Sequence, residues 1–243
     1  MIYNIYTYLI ATPLFVINCI VNGSLLALVG LLGDRKYFSY WIPRFWAWFT
    51  CFIYLLPVKV EGRENLDKNQ TYLFLPNHQG YFDIFLTYAY LGHNFKFMLK
   101  DYLRNIPFIG YACAKSGHVY LGESRPAITH ALLESRKNLE QGISMTIFPE
   151  GTRTHDGRLG EFKRGAFMLA SQLERPIVPV TINGSFEVFN REATIISHHS
   201  LQLIIHKPIS VEEQKQKGSK VIMQEVFDVI NADLEEKYRV SKD

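Results

Sequence analysis

Apolar residues open this chain in two long blocks and then recur in short runs separated by polar segments. Residues 1–33 contain no Asp, Glu, Lys or Arg. A helix needs roughly 20 apolar residues to cross a bilayer core, so this block is long enough, and lipid-embedded helices tolerate interruptions such as Pro13 and Gly23. A cleaved secretory signal also opens on an apolar run, but it carries positive charge ahead of that run, and here none precedes Arg35. A very hydrophobic core helix is a further alternative. The second block, residues 41–58, is broken only by Arg44 and holds Trp41, Trp46 and Trp48, the chain's three tryptophans. Indole rings suit the headgroup level of a bilayer. Arg35, Lys36, Arg44, Lys59 and Arg63 flank or enter the block and suit anionic headgroups on a cytoplasmic face. Residues 1–58 are therefore expected to form a membrane anchor of two apolar helical segments, either spanning or lying in one leaflet.

Beyond the anchor the runs shorten and alternate in period. Strands are expected at 71–76, 95–99, 117–121, 144–148, 176–182 and 201–206. Helices are expected at 82–91, 165–173 and 219–238, the last with Val221, Ile222, Val229, Ile230 and Leu234 on its apolar face. Another helix starts at a Ser124 cap with Pro126 in its first turn and runs to Gln141, with Ile128, Ala131, Leu132 and Leu139 on one face and Gly142 past its end. Residues 61–70 read as a polar linker, 100–111 as a loop or short helix, and 240–243 as a frayed tail. Strands alternating with helices predict an α/β fold over residues 59–243, a mostly parallel central sheet flanked by helices.

Composition narrows the class. A chain of 243 residues with 48% hydrophobic residues can bury a sizeable core. A net charge of +3 fits an anionic membrane surface but is too weak to argue for nucleic acid. Cys19, Cys51 and Cys113 are odd in number and lack C-x-x-C spacing, so no disulfide framework or cysteine zinc site is expected.

Two blocks carry candidate chemistry, and each follows an expected strand, where open α/β sheets gather ligands. In Asn77-His78-Gln79-Gly80-Tyr81-Phe82-Asp83, the carboxylate of Asp83 falls in a helix's first turn. Folded back, it accepts a hydrogen bond from one imidazole nitrogen of His78 and leaves the other as a general base. A surface histidine near a helix-start acid has the same spacing. In Phe148-Pro149-Glu150-Gly151-Thr152-Arg153, Arg153 suits bidentate phosphate binding. Glu150 and Thr152 suit hydroxyl groups and Gly151 a tight turn; a plain polar turn is the alternative. Lys163 opens a helix, a natural anion site or a solvated basic turn. Lys100 and Arg104 follow a strand and can reach the same place. His198 and His199 read as a surface loop. No G-x-S-x-G elbow, P-loop or G-x-G-x-x-G occurs.

The blocks together resemble the 1-acyl-glycerol-3-phosphate acyltransferases, the PlsC-like glycerolipid acyltransferase family, from about Val58 to Ile209. The N-H-x-x-x-x-D pattern matches at Asn77, His78 and Asp83, and F-P-E-G-T-R matches at residues 148–153. K-x-G matches at Lys163 and Gly165, and V-P-V at Val178, Pro179 and Val180. The resemblance implies His78 and Asp83 as the catalytic pair, with Asn77, Lys100, Glu150, Gly151, Thr152, Arg153 and Lys163 at the acceptor. It implies acyl transfer from acyl-CoA or acyl-carrier protein to lysophosphatidic acid, giving phosphatidic acid. It also implies no cofactor or metal, no nucleic-acid partner, and a place at a phospholipid membrane with the catalytic domain facing the cytoplasm, as at a bacterial inner membrane. One block departs from the family: Gly122-Glu123 stands where Asp-Arg is the rule. That keeps another lyso-lipid acceptor open, for example a lyso-aminoacyl lipid. A membrane lipid hydrolase is the remaining alternative, and a non-catalytic lipid-binding scaffold is disfavoured by the intact His78–Asp83 pair.

Overall fold

The computed structural model describes residues 2–33, 36–106 and 109–241. Arg35 and the last two residues of the expected frayed tail lie outside them. Helix α1, Ile2–Leu31, is long and apolar enough to cross a membrane, with mean hydropathy 2.2. Its turn Thr7–Ala11 is widened to π-helix, directly ahead of Pro13, whose ring crowds the carbonyl four residues back in an ordinary turn. Helix α2, Phe38–Ile53, folds back against α1. Several polar side chains of α1 are paired with this partner or along α1 itself. Asn18 Nδ2 donates to Trp46 O at 3.1 Å and Thr50 Oγ1 at 3.2 Å, Asn22 Nδ2 to Asn18 Oδ1 at 2.7 Å, and Tyr6 Oη to Ile53 O at 2.6 Å. Leu9, Ile17, Ile20, Phe45, Trp48 and Phe52 are left exposed on the outer faces.

The expected boundary between anchor and catalytic domain is not a physical gap. Ala47, Cys51, Ile53 and Tyr54 are buried in the same core as Phe74, Phe82, Phe85 and Leu86. Strand β1, Val58–Glu61, also begins where the anchor was expected to end. It forms a sheet edge directly ahead of the expected linker, which itself holds a 3-10 turn at Arg63–Asn65.

The remaining elements are β2 Leu73–Pro76, α3 Phe82–Tyr90, β3 Phe95–Lys100, α4 Ile109–Lys115, β4 Val119–Leu121, α5 Arg125–Glu140, β5 Ser144–Thr146, α6 Arg164–Leu173, β6 Ile177–Asn183, α7 Ser185–Phe189, β7 Leu201–Ile205 and α8 Val211–Asp233. The sheet order is β1-β7-β6-β2-β5-β3-β4. Every neighbouring pair is parallel except β6 and β7, as the alternation of runs requires. The β2, β5 and β6 runs are buried throughout, the signature of strands covered on both faces.

Two helices differ from expectation. On α5, Ser124 caps as expected, its Oγ accepting from Ala127 N at 3.3 Å, but the buried face is Ala131, Ser135, Asn138 and Leu139, and Ile128 is exposed. Helix α8 starts at Val211 rather than at 219, capped by Ser210, and Gly218 breaks it with φ 74° and ψ 158°. Its inner face is Ile222, Val226 and Ile230, while Val221 points to solvent.

The chain leaves β2 through α3 to β3 on one side, and leaves β5 through α6 back across β2 to β6 on the other. The C-terminal ends of β2 and β5 thus form the topological switch point, where such sheets hold ligands.

Candidate active site

Both sequence blocks meet at this point. His78 follows β2, and Asp83 sits in the first turn of α3. His78 Nδ1 lies 2.6 Å from Asp83 Oδ2. Asp83 is fully buried, and the same oxygen accepts from Gly80 N at 2.9 Å. Gly80 itself is squeezed: a Cβ there would stand 2.4 Å from Ser185 O and 2.6 Å from Ser185 Oγ, so only glycine lets the turn approach α7. The imidazole stacks on Phe148, centroids 3.9 Å apart and planes within 15°. With Nδ1 held by the carboxylate, Nε2 has no partner among the described residues and is the nitrogen open to substrate. Of the amides beside the dyad, Gly80 N is taken by Asp83, whereas Gln79 N has no acceptor among the described residues.

The turn after β5 clasps His78 by its backbone. His78 N donates to Glu150 Oε1 at 2.6 Å, and Thr154 N donates to His78 O at 2.9 Å. Glu150 Oε2 accepts from Gly160 N at 2.8 Å. Both oxygens of this buried carboxylate are thus engaged by backbone amides, a structural role beside the one expected for it towards an acceptor hydroxyl. Burial pushes its pKa up to about 8; the two amides pull it back and the Asp83 charge adds to the rise. Gly151 has φ +71°, the left-handed turn that lets the loop double back.

Asn77 also differs from expectation. Fully buried, it donates from Nδ2 to Ile182 O at 2.9 Å and accepts from Ile182 N at 2.7 Å through Oδ1. Its amide continues the β2–β6 ladder past Pro76 and is not available to a substrate. Asn77→Ala is expected to leave the KM for acceptor unchanged but to cost about 1–3 kcal/mol for each of the two buried backbone groups, Ile182 N and O, that lose a partner. Thermal melting would read the loss, and a raised acceptor KM with an unchanged melt would restore the binding role.

The expected cations separate. Arg153 is partly buried, its guanidinium 3.6 Å from the centroid of Tyr81, and it makes no hydrogen bond or ion pair among the described residues. Thr152 and Lys163 are exposed. Lys163 N donates to Pro149 O at 2.8 Å, and the lysine stem lies against Gly151. Lys100 is exposed at the end of β3, the strand next to β5. Arg104 is turned away, paired with Asp101 at 3.4 Å and over the Tyr120 ring. His198 and His199 lie outside the site, against Leu55 O and Glu235.

Sequence reasoning missed Tyr81, Thr154 and Gly160. Tyr81 occupies a free position of the N-H-x-x-x-x-D pattern, and the other two act through backbone amides, which carry no side-chain signature. Among the described residues the grouping able to hold a metal is Glu187, His199 and Glu235. The Lys237 ammonium already bridges its two carboxylates.

Fold and site define a class: α/β proteins whose His–Asp dyad stands at the C-terminal ends of the central strands of a mostly parallel sheet, with a guanidinium stacked close by that has no hydrogen bond or ion pair among the described residues. The Acyltransferase family model matches residues 57–183. The chloroplastic 1-acyl-sn-glycerol-3-phosphate acyltransferase LPAT1 of Arabidopsis thaliana is 36% identical over 178 residues, covering 72% of this chain and 49% of its own. The 1-acyl-sn-glycerol-3-phosphate acyltransferase of Saccharomyces cerevisiae is 30% identical over 205 residues, covering 80% and 66%. The crystal structure of the 1-acyl-sn-glycerophosphate acyltransferase PlsC from Thermotoga maritima superposes with a TM-score of 0.77 at 27% identity, over 99% of this chain and 97% of that one. The chain belongs to the Acyltransferase family. It spans about half the length of the plant relatives it matches.

Proposed function

We propose that the protein transfers a fatty acyl group from a thioester, acyl-CoA or acyl-carrier protein, to the free hydroxyl of lysophosphatidic acid, giving phosphatidic acid. What supports this most directly is the 2.6 Å contact between His78 Nδ1 and Asp83 Oδ2, with Nε2 free of any partner among the described residues. The names of the relatives add the acceptor.

Asp83 holds the Nδ1–H tautomer, so Nε2 removes the acceptor hydroxyl's proton. The alkoxide forms a bond to the thioester carbonyl carbon, and Gln79 N donates to the oxyanion. The C–S bond then breaks, and the imidazolium returns its proton to the leaving thiolate, whose conjugate acid has a pKa of about 8.5. No acyl-enzyme is needed. Arg153 presents a planar fork to the acceptor phosphate, with Lys163 and Lys100 as outer charge. The thioester brings its own activation, so the scheme uses no resident cofactor or metal. The outward apolar faces of α1 and α2 sit in the membrane, and the sheet faces the cytoplasm, as at a bacterial inner membrane.

A different lyso-lipid acceptor remains the second reading because of Glu123. It is exposed after β4, at the sheet edge two strands from β5, so its charge is displaced roughly 10 Å from the β5 turn at ordinary strand spacing.

The test is acyl transfer in detergent or liposomes, with labelled donor and a panel of lyso-lipids. Conversion of lysophosphatidic acid is the expected result. If that acceptor is inert and another reacts, the second reading replaces the first. Acyl release without any acceptor would make the protein a hydrolase.

A further inference from the structure

The two sequence blocks are joined by more than the backbone clasp. Tyr81 lies between His78 and Asp83, and its ring carries the Arg153 guanidinium at 3.6 Å, well inside the roughly 6 Å reach of a cation–π contact. The ring is braced from α7. Tyr81 N donates to Phe189 O at 3.0 Å, and the Tyr81 and Phe189 rings are 5.2 Å apart. A guanidinium stacked by its face spends no N–H on its support, so all five donors stay in the plane, available to an oxygen anion. A carboxylate support would instead have taken two of them and cancelled the charge. Tyr81 also shares one helix start with the dyad. The ring therefore sets how far the bound anion stands from His78 Nε2.

We propose that Tyr81 is the positioning residue for Arg153, and that this aromatic shelf sets selectivity for an acceptor bearing a phosphate monoester near its reacting hydroxyl. The inference rests on the acyltransferase reading above and on Arg153 as the phosphate ligand. Tyr81 acts through Arg153 and touches no reacting atom.

The experiment compares wild type, Tyr81→Leu, Tyr81→Phe, Arg153→Ala and the double variant Tyr81→Leu/Arg153→Ala. Each is assayed in mixed micelles with lysophosphatidic acid and with monoacylglycerol, which lacks the phosphate. Tyr81→Leu is expected to raise the lysophosphatidic acid KM about 5- to 30-fold, the range of an exposed to partly desolvated cation–π contact. The KM for the acyl donor and the rate at saturating acceptor stay near wild type. Tyr81→Phe, which keeps the ring face, restores the acceptor KM. The double variant is no worse than Arg153→Ala alone, because the two residues act as one unit. Monoacylglycerol turnover, where measurable, does not distinguish Tyr81→Leu from wild type.

Equal losses with both acceptors and a lowered melting temperature in Tyr81→Leu would show a merely structural residue and overturn the proposal. So would a normal acceptor KM in Tyr81→Leu while Arg153→Ala is impaired. A normal KM in Arg153→Ala itself would instead overturn the phosphate-binding reading on which the proposal stands.

Discussion

His78→Ala is expected to lower acyl transfer about 10²–10⁴-fold, the range contributed by a positioned general base, with KM for donor and acceptor little changed. The substitution removes the group that takes the hydroxyl proton while leaving the backbone clasp on residue 78 in place, since Glu150 and Thr154 bind its N–H and carbonyl. Asp83 keeps one donor, Gly80 N, but its other oxygen has no partner among the described residues, so the buried carboxyl costs some stability once the imidazole is gone. Circular dichroism should match wild type, the melting temperature should fall modestly, and the loss of activity should reside in kcat. Normal turnover in this variant would remove His78 from the mechanism. A burst of donor cleavage ahead of steady turnover in wild type would replace direct transfer with a covalent intermediate.

Glu150→Ala is expected to be nearly as damaging by a different route. His78 N and Gly160 N lose their acceptor in a buried setting, at about 1–3 kcal/mol for each orphaned donor. The peptide that aims the base is then free to shift, and a displacement near 1 Å costs on the order of 10² in rate. Both the melting temperature and kcat fall, while the acceptor KM holds. A KM effect alone would return Glu150 to substrate binding. Glu150→Gln falls between, because its amide accepts one N–H but turns a donor against the other. The carboxyl also gives a pH signature. Its folded pKa, about 8, lies above the ordinary value, so its contribution to stability is fully present below about pH 4.3 and is lost as pH rises through 8. Wild type should lose more stability than Glu150→Gln between pH 6 and 9; parallel melting curves would count against this assignment.

The dyad was legible because it is made of side chains at a fixed spacing: five residues carry the chain from the end of β2 into the first turn of α3, and a carboxylate belongs there. The α/β alternation was legible because buried parallel strands leave short, largely apolar runs such as 73–76 and 177–182. What escaped was whatever depends on partners distant in sequence. Asn77 and Glu150 carry the residue types of ligands, but their partners are the backbones of Ile182, His78 and Gly160. Strand β1 has only Val58 and Val60 alternating with Lys59 and Glu61, too short to stand out from a linker until β7 pairs with it. The apolar block at 41–58 is rich enough to read as anchor throughout, yet Ala47, Cys51 and Ile53 close the core over α3. Tyr81 looked like filler within a motif, because an aromatic shelf for a cation has no spacing rule.

The clasp on His78 also has a timetable. The bonds that fix it come from residues 150, 154 and, through Glu150, 160, more than 70 positions downstream. A ribosome adding about 5–20 residues each second releases α1 and α2 first, then the histidine, and the turn that grips it only seconds later. The growing polypeptide thus acquires its greasy helices well before its base is aligned. A truncated or stalled product carries the histidine without its grip and is expected to be inactive.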